Sequence, residues 1–349
     1  MKNVSEYIGS PSQLYGIKDY RLIGSKADGM RAVDVYTSGG LGFTVLPDRG
    51  MDIYSLSFKG VNLSFVSSTG LTGSRYFQED GARGFFRNFH VGFLTTCGLS
   101  YMGAPCNDQD ELLGLHGVIS NTPAYEVCPQ IQSVGDKEYI TISGKVKEAR
   151  MFGENLRLWR VVTCAVDGTS FVIDDTVQNF GFADVPFMLL YHCNFGYPML
   201  DEGCRVVIPS TVTTARDADA EKGLREYAEI SRPIMGYREQ VFSHQLKRRK
   251  DGFATVGLIN TRLVLMETIT YNSEVLPQLT QWKSMGCGEY VLGLEPGNCD
   301  VLGRAHARQN GTLRFLRPGE AKQHRMTVEI TEGSSAIEEK FREMDAELL

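Results

Sequence analysis

Three short stretches combine an ionisable side chain with glycine, proline or aromatic neighbours in a way that strand packing alone does not require. They are Gly114-Leu115-His116-Gly117, Leu190-Tyr191-His192-Cys193-Asn194-Phe195-Gly196 and Leu292-Gly293-Leu294-Glu295-Pro296-Gly297-Asn298. Imidazole and carboxylate together can move protons near neutral pH, so histidine and glutamate make a workable acid–base pair. His192 ends the apolar run Val185 to Tyr191, which predicts a residue emerging from a buried strand, with partial burial holding its pKa around neutrality. Glu295 follows the apolar strand Tyr290 to Leu294 and precedes Pro296-Gly297, read as a turn that fixes the carboxylate at the strand's end. A carboxylate buried there is costly unless it is paired or used. His116 lies between glycines that let backbone or ligand come close to its ring. Plainer readings compete: a structural His116, a core His192 bonded to backbone, an exposed turn at Glu295.

The elements that must position these residues are strands. Short alternating runs dominate the chain, with the period of two that half-buried strands require. In Tyr139 to Val146 the residues Ile140, Ile142 and Val146 fall on one face, and Leu156 to Thr163 is rich in β-forming residues. Further runs follow at Phe171 to Val177, Val185 to Cys193, Arg205 to Ile208, Arg262 to Tyr271, Tyr290 to Leu294 and Met326 to Ile330. Glycine or aspartate pairs such as Gly135-Asp136 and Asp167-Gly168 punctuate them. One segment reads as strongly helical: Ser335 and Glu338 have capping-box spacing, and Ile337, Phe341, Met344 and Leu348 form an apolar stripe. The expected architecture is all-β, one domain over residues 1–349, with a C-terminal helix over 335–349 and no repeat or linker.

Composition narrows the partners. A net charge of −6 and one short basic run, Lys247-Arg248-Arg249-Lys250, read as a solvated loop, argue against a nucleic-acid footprint. The start Met1 to Glu6 lacks a signal-peptide pattern and no apolar stretch is long enough to span a bilayer, so a cytoplasmic protein with no membrane partner is expected. The eight cysteines show neither Cys-x-x-Cys nor metal-finger spacing and read as reduced apolar residues.

At the three motifs the chain resembles the aldose 1-epimerase (galactose mutarotase) superfamily. Leu115-His116-Gly117, Tyr191-His192-Cys193-Asn194-Phe195 and Leu294-Glu295 match its site motifs in order and spacing. The phrases Leu46-Pro47-Asp48-Arg49-Gly50-Met51-Asp52, Leu94-Thr95-Thr96-Cys97-Gly98-Leu99 and Leu294 to Asn298 are similar to a mutarotase-related branch mostly labelled as a domain of unknown function. The likeness extends over about residues 40–330. It implies a β-supersandwich of antiparallel sheets with few short helices and an open groove for a sugar. It also implies His116 as the residue that binds and polarises the sugar, His192 as general acid and Glu295 as general base. The chain departs from the well-studied mutarotases at Val118, where they carry a second glycine, and around Tyr191 to Gly196, so the implied chemistry transfers better than the substrate.

The implied reaction opens the sugar ring by removing the anomeric proton and protonating the ring oxygen, then recloses it on the other face. No metal or organic cofactor is required. Hydroxyl recognition calls for polar groups beside an apolar platform, and the candidates are Asp48, Arg49, Arg87, Asn88, Asn194, Trp282 and Lys283. The expected partner is a monosaccharide or sugar derivative; a homodimer is an open expectation. Two alternatives stand beside this reading: an isomerase or epimerase acting at another carbon, with His116, His192 and Glu295 on a divalent metal, and a non-catalytic carbohydrate-binding protein on the same fold.

Overall fold

The computed structural model describes residues 6–247 and 249–346. Leu348, the last residue of the expected apolar stripe, Arg248 of the basic run and the first five residues lie outside the described residues. Alternating burial builds two large antiparallel sheets. The first, eleven-stranded, runs in the order Gly16–Arg21, Arg31–Tyr36, Leu41–Leu46, Asp52–Phe58, Leu94–Leu99, Met188–Phe195, Glu289–Gly297, Gln278–Gly286, Gln240–Leu246 and Ser210–Ala215, with Val61–Asn62 added to Asp52–Phe58. The second, eight-stranded, runs Ala124–Val134, Lys137–Ala149, Asn155–Ala165, Ser170–Asn179, Ala321–Glu332, Leu265–Asn272, Phe253–Asn260 and Arg205–Val207. This is the antiparallel supersandwich expected, with few short helices.

One continuous apolar core joins the inner faces, with Val45, Ile53 and Phe93 meeting Ile142, Val162 and Phe171. Phe43 and Phe171 lie 4.8 Å apart, ring centre to ring centre, across the two sheets. Ile140, Ile142 and Val146 all enter this core, as their alternation required. A fully buried polar cluster also bridges the sheets: Arg160 grips Asp175 through Nε at 2.9 Å and a terminal nitrogen at 2.7 Å, and reaches Asp52 at 3.1 Å. Thr96 donates to Asp52, and the Tyr191 hydroxyl donates to Asp175 at 2.7 Å, so every group in the cluster has a partner.

Several sequence-derived boundaries shift. The run Val185 to Cys193 divides into Val185–Pro186, paired with Phe315–Leu316, and the strand Met188–Phe195. Arg262 belongs to a turn held by Asn260, whose Oδ1 accepts the N–H groups of Arg262 and Leu263, and the strand begins at Leu265. The C-terminal helix spans Ser334–Ala346, so Ser335 lies inside its first turn and is not the cap. Gly333, with φ +96°, swings the chain from strand into helix, a conformation that favours glycine. Ile337, Phe341 and Met344 then pack against Val207, Ile259 and Met266 on the outer face of the second sheet. A helix that was not expected, Gly81–Asn88, lies over the first sheet and carries Phe85 and Phe86. No helix among the described residues is long and apolar enough to cross a membrane.

Candidate functional site

The three central strands of the first sheet bring the motif residues together. Leu190 pairs with Gly297 and Cys193 with Leu294, a register that sets His192 opposite Glu295. Thr95 pairs with His192 on one side and Thr280 with Glu295 on the other, so Thr95, His192, Glu295 and Thr280 form a row across the sheet. Alternation sends Tyr191, Cys193 and Leu294 into the core, and His192 and Glu295 therefore point to the opposite face. That face is the floor of a groove of about 390 Å³ walled by Phe85, Phe89, Leu115 and Trp282. His192 Nε2 and Glu295 Oε1 are 3.2 Å apart, both nearly inaccessible to solvent.

Both groups sit inside strands and not at strand ends. Pro296 and Gly297 continue the strand Glu289–Gly297 by pairing with Leu279 and Gln278, so they form no turn. The deeper burial has an electrostatic consequence. It pushes the His192 pKa down to about 4, below the neutrality expected from a strand end, and raises that of Glu295 well above the carboxylate range. Burial thus favours the uncharged form of each group, neutral imidazole and carboxylic acid. Asn194 fixes the histidine: its Nδ2 donates to the His192 carbonyl at 2.8 Å, which leaves its Oδ1 to accept from His192 Nδ1 at 2.6 Å. Nε2 is thereby the nitrogen directed at Glu295.

His116 enters from a loop. Its N–H donates to Gly103 and its carbonyl accepts from Gly98, with φ +62° at His116 itself. Gly117 is required here, because a Cβ would stand 2.2 Å from the Gly98 carbonyl oxygen. The ring centres of His116 and His192 are 6.1 Å apart, and Phe85 meets His116 edge-on at 5.0 Å. Burial first, then the neighbouring His192 and Arg216, lower the His116 pKa to about 3, so it is a neutral imidazole. Its Nδ1 is buried without a hydrogen-bond partner among the described residues.

Of the expected sugar contacts, Trp282 lines the groove and Asn194 lies beneath it, holding His192. The others are placed elsewhere. Arg49 is buried and donates to the carbonyls of Ser120, Thr72 and Asn88, so it clamps three loops. Asp48 accepts the Arg31 N–H at 3.0 Å, and Asn88 donates to Asn121. Arg87 is exposed on the Gly81–Asn88 helix and does not line the groove. Lys283, next to Trp282 in a strand, must face the other side of the sheet, where its ammonium donates to the Glu226 carbonyl at 2.7 Å.

The groove also holds residues the sequence reading missed. Glu239 accepts the Trp282 indole N–H at 2.8 Å and pairs with Arg216 at 3.0 Å, fixing the indole as one wall. Phe85 in the helix Gly81–Asn88 and Phe89 just past its end, four residues apart, form the facing wall, with Phe89 against His192 at 5.3 Å. That spacing was the available signal for the helix; Arg216 and Glu239 had none. Among the described residues no group of three or more His, Cys, Asp or Glu is arranged to hold a metal ion.

Gly293 lies between the strands of Asn194 and Trp282, where an added Cβ would stand 2.5 Å from Glu295 Oε1 and 3.1 Å from Trp282 Cβ. Gly293→Ala is expected to displace the carboxylate and lower turnover by about 10²-fold, a loss typical of an ångström-scale misplacement. Steady-state kinetics of sugar anomer exchange would check it; an unchanged kcat would show that the carboxylate position is not critical.

A comparison with curated proteins gives no match. Among solved structures, a proposed aldose 1-epimerase from Klebsiella pneumoniae superposes with TM-score 0.89 at 22% identity, over 99% of this chain and 94% of that one. A galactose mutarotase-like protein from Clostridium acetobutylicum gives 0.64 at 16% identity, over 92% and 100%. A galactose 1-epimerase from Lactobacillus acidophilus gives 0.59 at 12%, again over 92% and 100%. At these identities the likeness establishes the fold. A family model described as a domain of unknown function, DUF4432, matches residues 27–330. With that match over most of its length, the chain belongs to the DUF4432 family, and its fold is that of the galactose mutarotase-like structures.

Proposed function

We propose that this protein interconverts the anomers of a sugar, with Glu295 and His192 exchanging protons with the two oxygens on the anomeric carbon. The observation that carries the reading is the cross-strand pair itself: His192 Nε2 and Glu295 Oε1 at 3.2 Å on the floor of an aromatic-walled groove. In ring opening, the Glu295 carboxylate takes the proton of the anomeric hydroxyl. The freed electron pair forms the C1 carbonyl as the bond from C1 to the ring oxygen breaks. The ring oxygen takes the proton from His192 Nε2. Rotation about C1–C2 and the reverse transfers close the ring on the other face, and both residues return to their starting states.

A single titratable proton on the pair suits this cycle. Carboxylate with imidazolium is the form that opens the ring, and opening leaves carboxylic acid with neutral imidazole, the form that burial favours. Ring closure uses that second form. Neutral His116 supplies a hydrogen bond to the sugar, and the Trp282, Phe85 and Phe89 rings supply apolar surface for its C–H face.

The pH profile follows from the directions of the shifts. A second proton on the pair requires protonating a histidine whose pKa is pushed to about 4, and losing the only proton requires ionising a carboxyl raised well above its usual range. Exchange of a substrate sugar, followed by NMR, is expected to hold a plateau through neutral pH and to fall as pH drops towards about 4. A rate that instead titrated with a single step at the ordinary histidine value would remove the one-proton pair from the mechanism.

A further inference from the structure

The groove does not stop at the acid–base pair. Thr280, opposite Glu295, also lines a second hollow of about 280 Å³ with Thr214, Ser243 and Gln278. Those three in turn line a third hollow of about 360 Å³ with Gln245. The sheet register explains this continuity. Thr280 pairs with Ser243 and Ser243 with Thr214, which extends the row Thr95, His192, Glu295 straight to the edge strand Ser210–Ala215. Three strand spacings separate the strand of Glu295 from that edge, about 14 Å at 4.7–4.9 Å each. That is longer than one sugar ring.

The row along this extension is polar. Hydroxyl and amide side chains recur along it beside apolar Val241, Leu302 and Leu246, and those of Thr280, Ser243, Thr214, Gln278 and Gln245 make no hydrogen bond or ion pair within the described residues. It deepens from exposed Gln278, Ser243 and Thr214 to buried Thr280 beside Glu295. Of the two charged groups lining the second hollow, Arg216 is held by Asp217 and Glu239 and Asp300 accepts the Leu302 N–H at 2.9 Å, so the cation there is already paired.

We infer that the site takes a neutral oligosaccharide by its reducing end, with the terminal sugar over His192 and Glu295 and the next units lying along Thr280, Ser243 and Thr214. This rests on the proposed anomer exchange for the position of the reducing end, and on the groove's shape and lining for the rest. Each further unit presents hydroxyls to unengaged side chains, and two net hydrogen bonds of ordinary strength amount to about tenfold in affinity.

The test uses the full chain and neutral reducing mono-, di- and trisaccharides of glucose, galactose and mannose. Anomer exchange is followed by NMR, and binding to the Glu295→Gln protein by calorimetry. In at least one series, kcat/KM and affinity are expected to rise about tenfold or more from mono- to trisaccharide. Ser243→Ile, which removes the hydroxyl and fills the extension, and the isosteric Thr214→Val are expected to reduce that length-dependent ratio, Ser243→Ile to near one. Both positions are exposed strand residues where β-branched side chains are well accommodated. A length-dependent affinity that Ser243→Ile abolishes, with no exchange of any sugar, would uphold the extended groove and overturn the acid–base reading. Exchange that is equally fast for all lengths, or no length dependence of binding, would overturn the extended groove; fast exchange in that case leaves the acid–base reading standing.

Discussion

Glu295→Gln is expected to slow anomer exchange by about 10² to 10⁴-fold while sugar binding persists. The amide keeps the size of the carboxyl and fits the space that Gly293 leaves open, so the strand and the groove are not disturbed. What it loses is the capacity to take up and return a proton 3.2 Å from His192 Nε2. His192→Asn is expected to damage turnover more than binding for the same reason. His116→Asn should weaken both, because that ring offers a hydrogen bond to the sugar and not a proton. NMR exchange rates with calorimetric affinities separate these outcomes. Anomer exchange near the wild-type rate in a folded Glu295→Gln protein would end the assignment of Glu295 as base.

The largest stability effect is expected at Arg160, beneath the site. Its guanidinium is the counter-charge to Asp175 and Asp52, all three fully buried between the sheets. Arg160→Met fills much of the volume but leaves two carboxylates without their cation, a change that costs about 3–5 kcal/mol when one partner of a buried pair is removed. The effect carries a pH signature. Burial raises the Asp52 pKa to about 6 even with Arg160 and Thr96 opposing it, and removing the cation raises it further. A group whose folded pKa lies above its unfolded value favours the folded state when protonated, so stability is lost as pH rises towards the folded pKa. The deficit of Arg160→Met relative to wild type should therefore be larger at pH 8 than at pH 5 in urea unfolding. A deficit under about 1 kcal/mol at pH 8 would mean that the cluster is solvated or rearranges freely.

Local sequence was enough for the strands and for singling out His192 and Glu295 as ionisable groups in apolar strands. Period-two patterning in Tyr139 to Val146 marked the inward residues because a strand fixes which side chains share a face, whatever it packs against. His192 and Glu295 stood out because ionisable groups in long apolar runs are costly to bury without a use. Their partnership was not legible: 103 positions separate them, and only the register of Met188–Phe195 against Glu289–Gly297 makes them neighbours. The same holds for the wall built by Glu239, Arg216 and Trp282, drawn from three separate segments.

Adjacent residues show most clearly what the tertiary structure alone decided. Trp282 and Lys283 looked equally suited to a sugar, yet alternation gives the groove to the first and the Glu226 carbonyl to the second. Asp48, Arg49 and Asn88 have the right chemistry for hydroxyls, but Asp48 accepts the Arg31 N–H, Arg49 is spent on three loop carbonyls and Asn88 is turned to Asn121. A polar side chain binds a ligand only if folding leaves its valence open, and that depends on distant backbone groups arriving or not arriving at hydrogen-bond distance. The sequence by itself determined an all-β chain with a histidine and a glutamate set in apolar strands; the pairing of strands far apart in the chain decided which face they share, which charge states burial favours and how far the groove continues beyond them.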